Sequence, residues 1–362
     1  MTKKQRIIVE PRLKPIKYKL NDLTFNKIAK TKVTIDGEEF YSLEDNPLNK
    51  RGYKYKPCKP NKLFKSTLYS TTEIASFNIR PSYFDKSQGI VFKDDLIVSN
   101  KENGWRSIRS NIGVSKGDWY VEFNIIKTGD NDHVRIGFAR KEASLEAPIG
   151  FDGYGYGLRD VTGQKITLSR PKSFMDKGFA SGDTIGFRIV LPETEETREI
   201  NLIRDQIPIK YKNSLYYEQF EYTKTEKMSQ LLNPVKIFGE KLTKLETFED
   251  LPTIPGSKII VYKNGKEMGT MFENLYSFNS KNLEQSSNPN FKHTNDGSLG
   301  YYPMISIFNN AIVEMNASAT PPVPGCKPIN ERYDEFVVEE YFWDLMDEVE
   351  SCYLDDLEKI DQ

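Results

Sequence analysis

Apolar and polar residues alternate in a run of short segments between about 75 and 191, separated by Gly, Asp and Asn. The segments include Gly89-Ile-Val-Phe92, Asp95-Leu-Ile-Val98, Trp105-Arg-Ser-Ile108, Val134-Arg-Ile-Gly-Phe138, Gly155-Tyr-Gly-Leu158 and Thr184–Leu191. Within Trp119–Ile125, Trp119, Val121, Phe123 and Ile125 fall on one side, and Tyr120, Glu122 and Asn124 on the other. A period of two marks a half-buried strand, because successive side chains point to opposite faces of a sheet. Segments this short at this spacing predict an all-β fold, an antiparallel β-sandwich. The pattern resumes at Lys258–Tyr262, turns at Asn264-Gly265, and ends with Tyr301–Val313. Asn-Gly between alternating runs is a strong signal for a two-residue hairpin. The intervening 192–256 opens with Pro192-Glu-Thr-Glu-Glu-Thr-Arg and shows little alternation before Tyr216-Tyr217. It reads as a loop-like insertion between two strands of one domain, and the polar 279–298 as a further flexible loop.

Charge divides the chain differently. The 362 residues carry a formal net charge of −1. Residues 1–65 hold 17 Lys/Arg against 7 Asp/Glu, a net of +10, while 331–362 hold 2 against 13, a net of −11. The total excludes a uniformly basic nucleic-acid coat or a uniformly acidic tail, and the ends point to different partners or to plain solvated termini. A hydrophobic content of 38% leaves part of the length for loops, tails or insertions. Aromatics at 12% suit a β-rich core or a binding surface. Cys58, Cys326 and Cys352 are odd in number and far apart, with no Cys-x-x-Cys. That argues against a disulfide framework or a zinc module and for a reducing compartment. No stretch approaches 18 apolar residues and the N-terminus has no apolar signal core, so a soluble, unsecreted protein without membrane contact is expected.

The basic arm, 1–74, is broken by Pro11, Pro15, Pro47, Pro57 and Pro60. Lys32–Tyr41 reads as a hairpin around Asp36-Gly37. Tyr53-Lys-Tyr55-Lys-Pro57 interleaves rings and cations, a pattern for nucleic-acid contact or for an extended arm lying on its own domain. The β domain is expected over 75–315 and a Pro-rich linker over 316–330, where Thr320-Pro-Pro-Val-Pro-Gly325 has polyproline character. The last segment, 331–362, predicts a long helix. Val338, Phe342, Leu345, Val349, Tyr353, Leu357 and Ile360 form one apolar stripe. Glu339, Glu340, Asp344, Asp347, Glu348 and Glu350 are expected on the opposite side. An isolated helix with such a stripe is marginal in water, so a foreign partner is expected to cover it, with docking back onto the sandwich as the alternative.

No Gly-x-Ser-x-Gly, Walker sequence or His-Glu-x-x-His occurs, and His133 and His293 stand alone. No catalytic residue, metal site or cofactor is expected. The string Gly150-Phe-Asp-Gly153-Tyr-Gly155-Tyr-Gly157 has the wrong spacing for a dinucleotide loop. It reads as a strand with small residues on one face and Tyr154 and Tyr156 on the other. Arg135, Arg140 and Arg159 fall at strand ends or turns, near Trp105, Pro148 and Phe151. Guanidinium groups beside exposed rings on a rigid β scaffold suit an acidic or phosphorylated peptide, and ordinary surface arginines would look the same in sequence.

Asn103-Gly-Trp-Arg-Ser-Ile-Arg, Gly117-Asp-Trp-Tyr-Val-Glu-Phe, Val134-Arg-Ile-Gly-Phe-Ala, Gly182-Asp-Thr-Ile-Gly-Phe and Val261-Tyr-Lys-Asn-Gly-Lys together resemble a SPRY domain. The block Leu145-Glu-Ala-Pro-Ile-Gly-Phe-Asp-Gly-Tyr-Gly-Tyr-Gly-Leu-Arg-Asp resembles the Ash-two/Bre-two subunit of COMPASS-type histone methyltransferase complexes. With no zinc-binding finger ahead of the SPRY segments, the fungal Bre-two branch is the expected one. The resemblance implies a nuclear, non-catalytic scaffold that supports a SET-domain subunit in methylating lysine four of histone H3. It implies that the SPRY surface grips an acidic segment of a WD-repeat subunit through Trp105, Arg135, Pro148, Phe151 and Arg159. Phe151 stands where the family has tyrosine, and Val161 where it has a second cation. It also implies that the C-terminal helix enters the groove of a Dpy-thirty/Sdc-type dimer through Phe336, Val337, Tyr341, Leu345 and Val349. Nucleosomal DNA is a candidate partner for the basic arm. A peptide-recognition adaptor of a ubiquitin ligase is the alternative that SPRY resemblance leaves open.

Overall fold

A computed structural model of the chain describes residues 30–43, 47, 53–61, 69–71, 78–193, 206–211, 214–220, 251–278 and 299–360. The alternating segments become strands of two antiparallel sheets. The larger runs in the order Thr31–Ile35, Glu38–Ser42, Ile90–Phe92, Ile97–Asn100, Ile312–Asn316, Gly117–Lys127, Thr184–Leu191, Lys258–Lys263, Lys266–Glu273. The smaller runs Arg170–Lys172, Lys165–Thr167, Gly155–Arg159, His133–Ala139, Tyr302–Phe308, Trp105–Ser110, Pro81–Lys86. Trp119, Val121, Phe123 and Ile125 point inward with Ile185, Phe187 and Ile189, and meet Val134, Ile136, Phe138 and Leu158 of the other sheet. Phe187 sits edge-on to both Phe123, at 5.7 Å, and Phe138, at 6.3 Å, so one ring spans the interface. Asn264 and Gly265 both take positive φ, 51° and 79°, and link Lys258–Lys263 to Lys266–Glu273. This is the turn whose twist matches paired strands, and glycine is the residue that enters it without strain. The hairpin read around Asp36-Gly37 forms likewise and joins the larger sheet through Tyr41 and Phe92.

The strands flanking 192–256, Thr184–Leu191 and Lys258–Lys263, are direct neighbours. The segment itself is not purely loop-like. Gln206–Tyr211 and Ser214–Phe220 form a hairpin, and the second strand pairs with Tyr53–Pro60, which pairs in turn with Tyr69–Thr71. Tyr55 Oη donates to buried Glu218 at 2.8 Å. The ring-and-cation run of the arm is therefore a strand inside a third sheet. Its partner lies some 160 residues away, so no local pattern announces the pairing. The segments 1–29 and 279–298 lie outside the described residues.

Two expectations about the C-terminal region change. Tyr120, on the outward side of Gly117–Lys127, is only 1% exposed. Ala319, with Val323 and Cys326, covers it together with Ile260 and Tyr262. Lys327–Pro328 then runs parallel to Trp119 and Tyr120. The proline segment thus packs on the sheet and does not hold the helix away. Ile329 and Tyr333 enter the main core, and Asn330 Oδ1 accepts from the Ile79 amide at 2.8 Å. The helix, Arg332–Ile360, leaves the domain from a fixed point. At about 1.5 Å per residue its 29 residues span roughly 43 Å.

The outer face of the smaller sheet carries a buried charge cluster. Arg109 gives two hydrogen bonds to Asp85, at 2.9 and 2.8 Å, and Lys141 approaches the same carboxylate at 2.5 Å. Arg109 Nη1 also donates to the carbonyls of Arg140 and Ala143, fastening the start of the 140–154 loop. Burial by itself raises a carboxyl pKa, but Arg109 and Lys141 outweigh it and hold Asp85 well below the usual carboxylate range. The unfolded chain then binds the proton more readily. The contribution is complete above the unfolded pKa, about 4, and disappears as pH falls toward the depressed folded value. We expect Asp85→Asn to lose about 3 kcal/mol at pH 7, because buried Arg109 and half-buried Lys141 lose their counterion. Urea titrations between pH 7 and pH 2 should show a flatter acid limb than wild type; equal slopes would refute the assignment.

Candidate functional site

Cross-strand register assembles the site. On the outer face of the smaller sheet, Arg159 stands opposite Arg135, Arg135 opposite Ser306, and Ser306 opposite Ser107. One step along the same strands, His133 stands opposite Phe308 and Phe308 opposite Trp105. Residues two apart share a face, so an aromatic row borders an arginine row. Trp105 and Phe308 rings lie 5.4 Å apart, Phe308 and His133 5.9 Å apart. The Arg135 guanidinium rests over the Trp105 ring at 4.7 Å. This is a cation–π contact, in which the ring's negative face attracts the guanidinium.

Arg159 Nη1 donates to Gln164 Oε1 at 2.8 Å. Among the described residues neither Arg135 nor Arg159 forms an ion pair with a carboxylate. The nearby Asp160 is occupied by the Val134 amide, at 3.0 Å, and by the His133 ring, at 3.2 Å. Desolvation first, and the like charge of Arg159 second, pull the Arg135 pKa down to about 10, against the opposing field of Asp160. Two cations opposed on one face destabilise a sheet. An acidic group between them would remove that penalty through paired, charge-assisted hydrogen bonds.

The wall beside the arginines comes from the 140–154 loop, folded back over the sheet. Ser107 Oγ donates to the Ala147 carbonyl at 2.9 Å, and the Ile149 amide donates to Ser306 Oγ at 2.9 Å. Pro148, between these anchors, is half-buried, and its carbonyl accepts from the Phe151 amide at 3.0 Å. Pro148 and Phe151 thus belong to one turn.

Arg140 departs from its expected role. It is 1% exposed, paired with Glu142, bonded to the Ser277 carbonyl at 2.7 Å and set 5.2 Å from the Tyr154 ring. Lys165 donates its ammonium to the Met271 carbonyl at 2.6 Å. The glycine string also differs from expectation. The strand starts only at Gly155, after a turn at Asp152, so Tyr154 packs under the loop while Tyr156 enters the inter-sheet core. Sequence reasoning missed Phe308, whose place beside Trp105 depends on pairing across some 200 residues.

The helix has two sides. At about 100° per residue, Tyr333, Val337 and Asp344 share one side and Val338, Leu345 and Val349 the other. Phe336 and Val337 are half-buried against the domain's own core. Asp344, expected on a solvated acidic face, is 7% exposed and accepts from Asn61 Nδ2 at 3.4 Å. Tyr341, Leu345 and Val349 are exposed, as are Val338, Phe342, Met346 and Tyr353. The side chains of Leu357 and Ile360 lie outside the described residues. Among the described residues no three His, Cys, Asp or Glu side chains converge as a metal site.

Because the arginine pair is mutually repulsive, Arg159→Gln should raise stability by about 0.5 kcal/mol. Thermal melts at low and high salt check this, and the gain should shrink as salt screens the repulsion. A destabilised Arg159→Gln at low salt would mean the pair is compensated internally.

No family model matches the chain. It is 40% identical to the Set1 complex component ash2 of Schizosaccharomyces pombe, over 93% of this chain and 52% of that protein. It is 31% identical to the COMPASS component cclA of Colletotrichum higginsianum, over 90% of this chain and 71% of that protein. It is 25% identical to the COMPASS component BRE2 of Saccharomyces cerevisiae, over 87% of this chain and 90% of that protein. The chain therefore spans about half the length of the fission-yeast relative. Among solved structures, a human SPRY domain aligns with 64% of this chain and 98% of its own, at 15% identity and a TM-score of 0.36. By its similarity along nearly its whole length to these proteins, the chain belongs to the Ash2/Bre2 (cclA) family of COMPASS components.

Proposed function

We propose that the chain is a non-catalytic scaffold subunit of a Set1/COMPASS-type histone methyltransferase complex, acting in the nucleus on chromatin. Its relatives carry the names of subunits of such complexes. In this reading the β domain, 75–315, grips an acidic segment of the WD-repeat subunit through Trp105, Arg135, Pro148, Phe151 and Arg159. The observation that carries it is the opposed, carboxylate-free arginine pair beside an aromatic row. The exposed side of the helix, with Tyr341, Leu345 and Val349, takes a Dpy-thirty/Sdc-type dimer. Burying each large apolar side chain there contributes roughly 1.5–3 kcal/mol. Phe336 and Val337 then act mainly by fixing the helix to the domain. Holding both partners in one geometry favours the closed, competent population of a SET-domain subunit that methylates lysine four of histone H3.

Arg159→Glu should weaken pull-down of the WD-repeat subunit at least tenfold without lowering the melting temperature. Deleting Val338–Gln362 should abolish capture of the helical dimer and spare the WD-repeat contact. The deletion point keeps Ile329, Tyr333, Phe336 and Val337 in the core. Unchanged WD-repeat capture by Arg159→Glu, or joint loss of both partners in the deletion, would overturn the two-surface reading.

We also propose nucleosomal DNA as a ligand of the basic arm. Truncation belongs at residue 29, since Thr31–Ile35, Glu38–Ser42 and Tyr53–Pro60 are strands of the fold. Residues 1–29 carry 8 Lys/Arg and 2 Asp/Glu. The full chain should bind duplex DNA with an affinity that falls steeply with salt, and removal of 1–29 should flatten that slope. Identical slopes would remove the arm from DNA binding.

A further inference from the structure

The glycine string that the sequence singles out has no part in the arginine chemistry, yet it lies directly beside it. Gly157 is two residues before Arg159 on the same strand and opposite Gly137, the residue two after Arg135. The arginine row therefore continues into a strip without side chains. Ile149 fills that strip. A β-carbon on Gly157 would stand 2.9 Å from Ile149 Cγ2 and 3.0 Å from the Ile149 carbonyl oxygen. One on Gly155 would stand 3.0 Å from Ile149 Cγ1 and 3.2 Å from the Gly150 amide nitrogen. These separations are tighter than ordinary van der Waals contact: a methyl on Gly157 presses on both the Ile149 side chain and its carbonyl oxygen and pushes the loop outward, while one on Gly155 asks Ile149 Cγ1 and the Gly150 amide to give by a few tenths of an ångström.

The loop is held down at the same place by a second device. Ser306 Oγ, fully buried, accepts from the Ile149 amide at 2.9 Å, and it is linked to Ser107 Oγ at 2.7 Å. Ser306 is also the cross-strand neighbour of Arg135. Missing β-carbons on one side and a serine acceptor on the other thus fix the height of Ala147–Phe151 above the sheet. Pro148 is the residue between the two anchored positions, and the second of them, Ile149, is hydrogen-bonded to the serine that stands opposite Arg135.

We infer that Gly155, Gly157 and Ser306 are positioning residues for ligand binding. They set the distance between the Pro148–Phe151 wall and the Arg135–Arg159 pair, and with it the width of the groove that admits an extended acidic peptide. This rests on the reading of the arginine pair as an acidic-ligand site. A lifted wall leaves both guanidinium groups intact but opens the groove to water, which weakens their contact with a carboxylate.

The test uses the full chain and a fluorescein-labelled decapeptide rich in glutamate and aspartate, read by anisotropy. Gly157→Ala and Ser306→Ala are each expected to weaken binding by about fivefold. The double variant Gly157→Ala/Ile149→Ala removes the nearest obstructing atom, Ile149 Cγ2, and leaves the carbonyl oxygen at 3.0 Å, so it should recover part of the binding lost in Gly157→Ala, although it is no more stable. A lost core contact cannot produce that rescue. Near-ultraviolet circular dichroism verifies folding, and if Gly157→Ala fails to fold, Ser306→Ala and Gly155→Ala carry the measurement. Arg159→Glu separates the two levels. If it leaves peptide binding unchanged, the acidic-ligand reading fails. If it weakens binding while the folded glycine and serine variants bind as wild type, or if the effects of Gly157→Ala and Ile149→Ala simply add, the positioning inference alone is overturned.

Discussion

Phe187 meets Phe138 across the gap between two sheets, amid Val121, Phe123, Val134, Ile136 and Leu158. Neither sheet can keep that face in water, and each covers the other's. The burial commits one face of every central strand and leaves the outer faces to be used or roofed. On the larger sheet the roof is the segment around Ala319, Val323 and Cys326, with Arg188 held against Asp118 nearby at 2.8 Å. On the smaller sheet it is the 140–154 loop, which is anchored on Ser107 and Ser306 and leaves Arg135 and Arg159, further along that row, half-buried.

Arginines on that sheet divide by what neutralises them. Arg109 faces Asp85 and Arg140 faces Glu142, and both are almost fully buried. A buried guanidinium persists only when a carboxylate offsets its desolvation, and these two hold the loop in place. Arg135 and Arg159 are half-buried, face each other, and meet a ring and an amide. The same residue type fastens the scaffold at one end of the sheet and, among the described residues, forms no ion pair with a carboxylate at the other.

The C-terminal helix divides its surface in the same way. Tyr333, Phe336 and Val337 face the domain, and Asp344 meets Asn61 of the arm, so the helix leaves in a defined direction. Its apolar stripe is carried on the other side. The acidic charge of this segment therefore does not form one solvated face, since part of it serves the docking.

The period of two in Trp119–Ile125, the Asn264-Gly265 and Asp36-Gly37 turns, and the three-to-four spacing after Val338 are local properties. Each is set by how a side chain points from its own backbone, and so the antiparallel sandwich and the terminal helix were legible in the sequence. The choice among Arg135, Arg140 and Arg159 was not, because it depends on which carboxylate lies within reach after folding. Phe308 beside Trp105, Tyr53–Pro60 beside Ser214–Phe220, and the proline segment over Tyr120 are pairings across some 160 to 200 residues. Strand register and sheet packing bring them together, and short-range patterning carries no information about either. Composition and periodicity determined which faces had to be buried; tertiary structure alone decided what covers them, because the energy of a buried face depends on the partner that excludes the water.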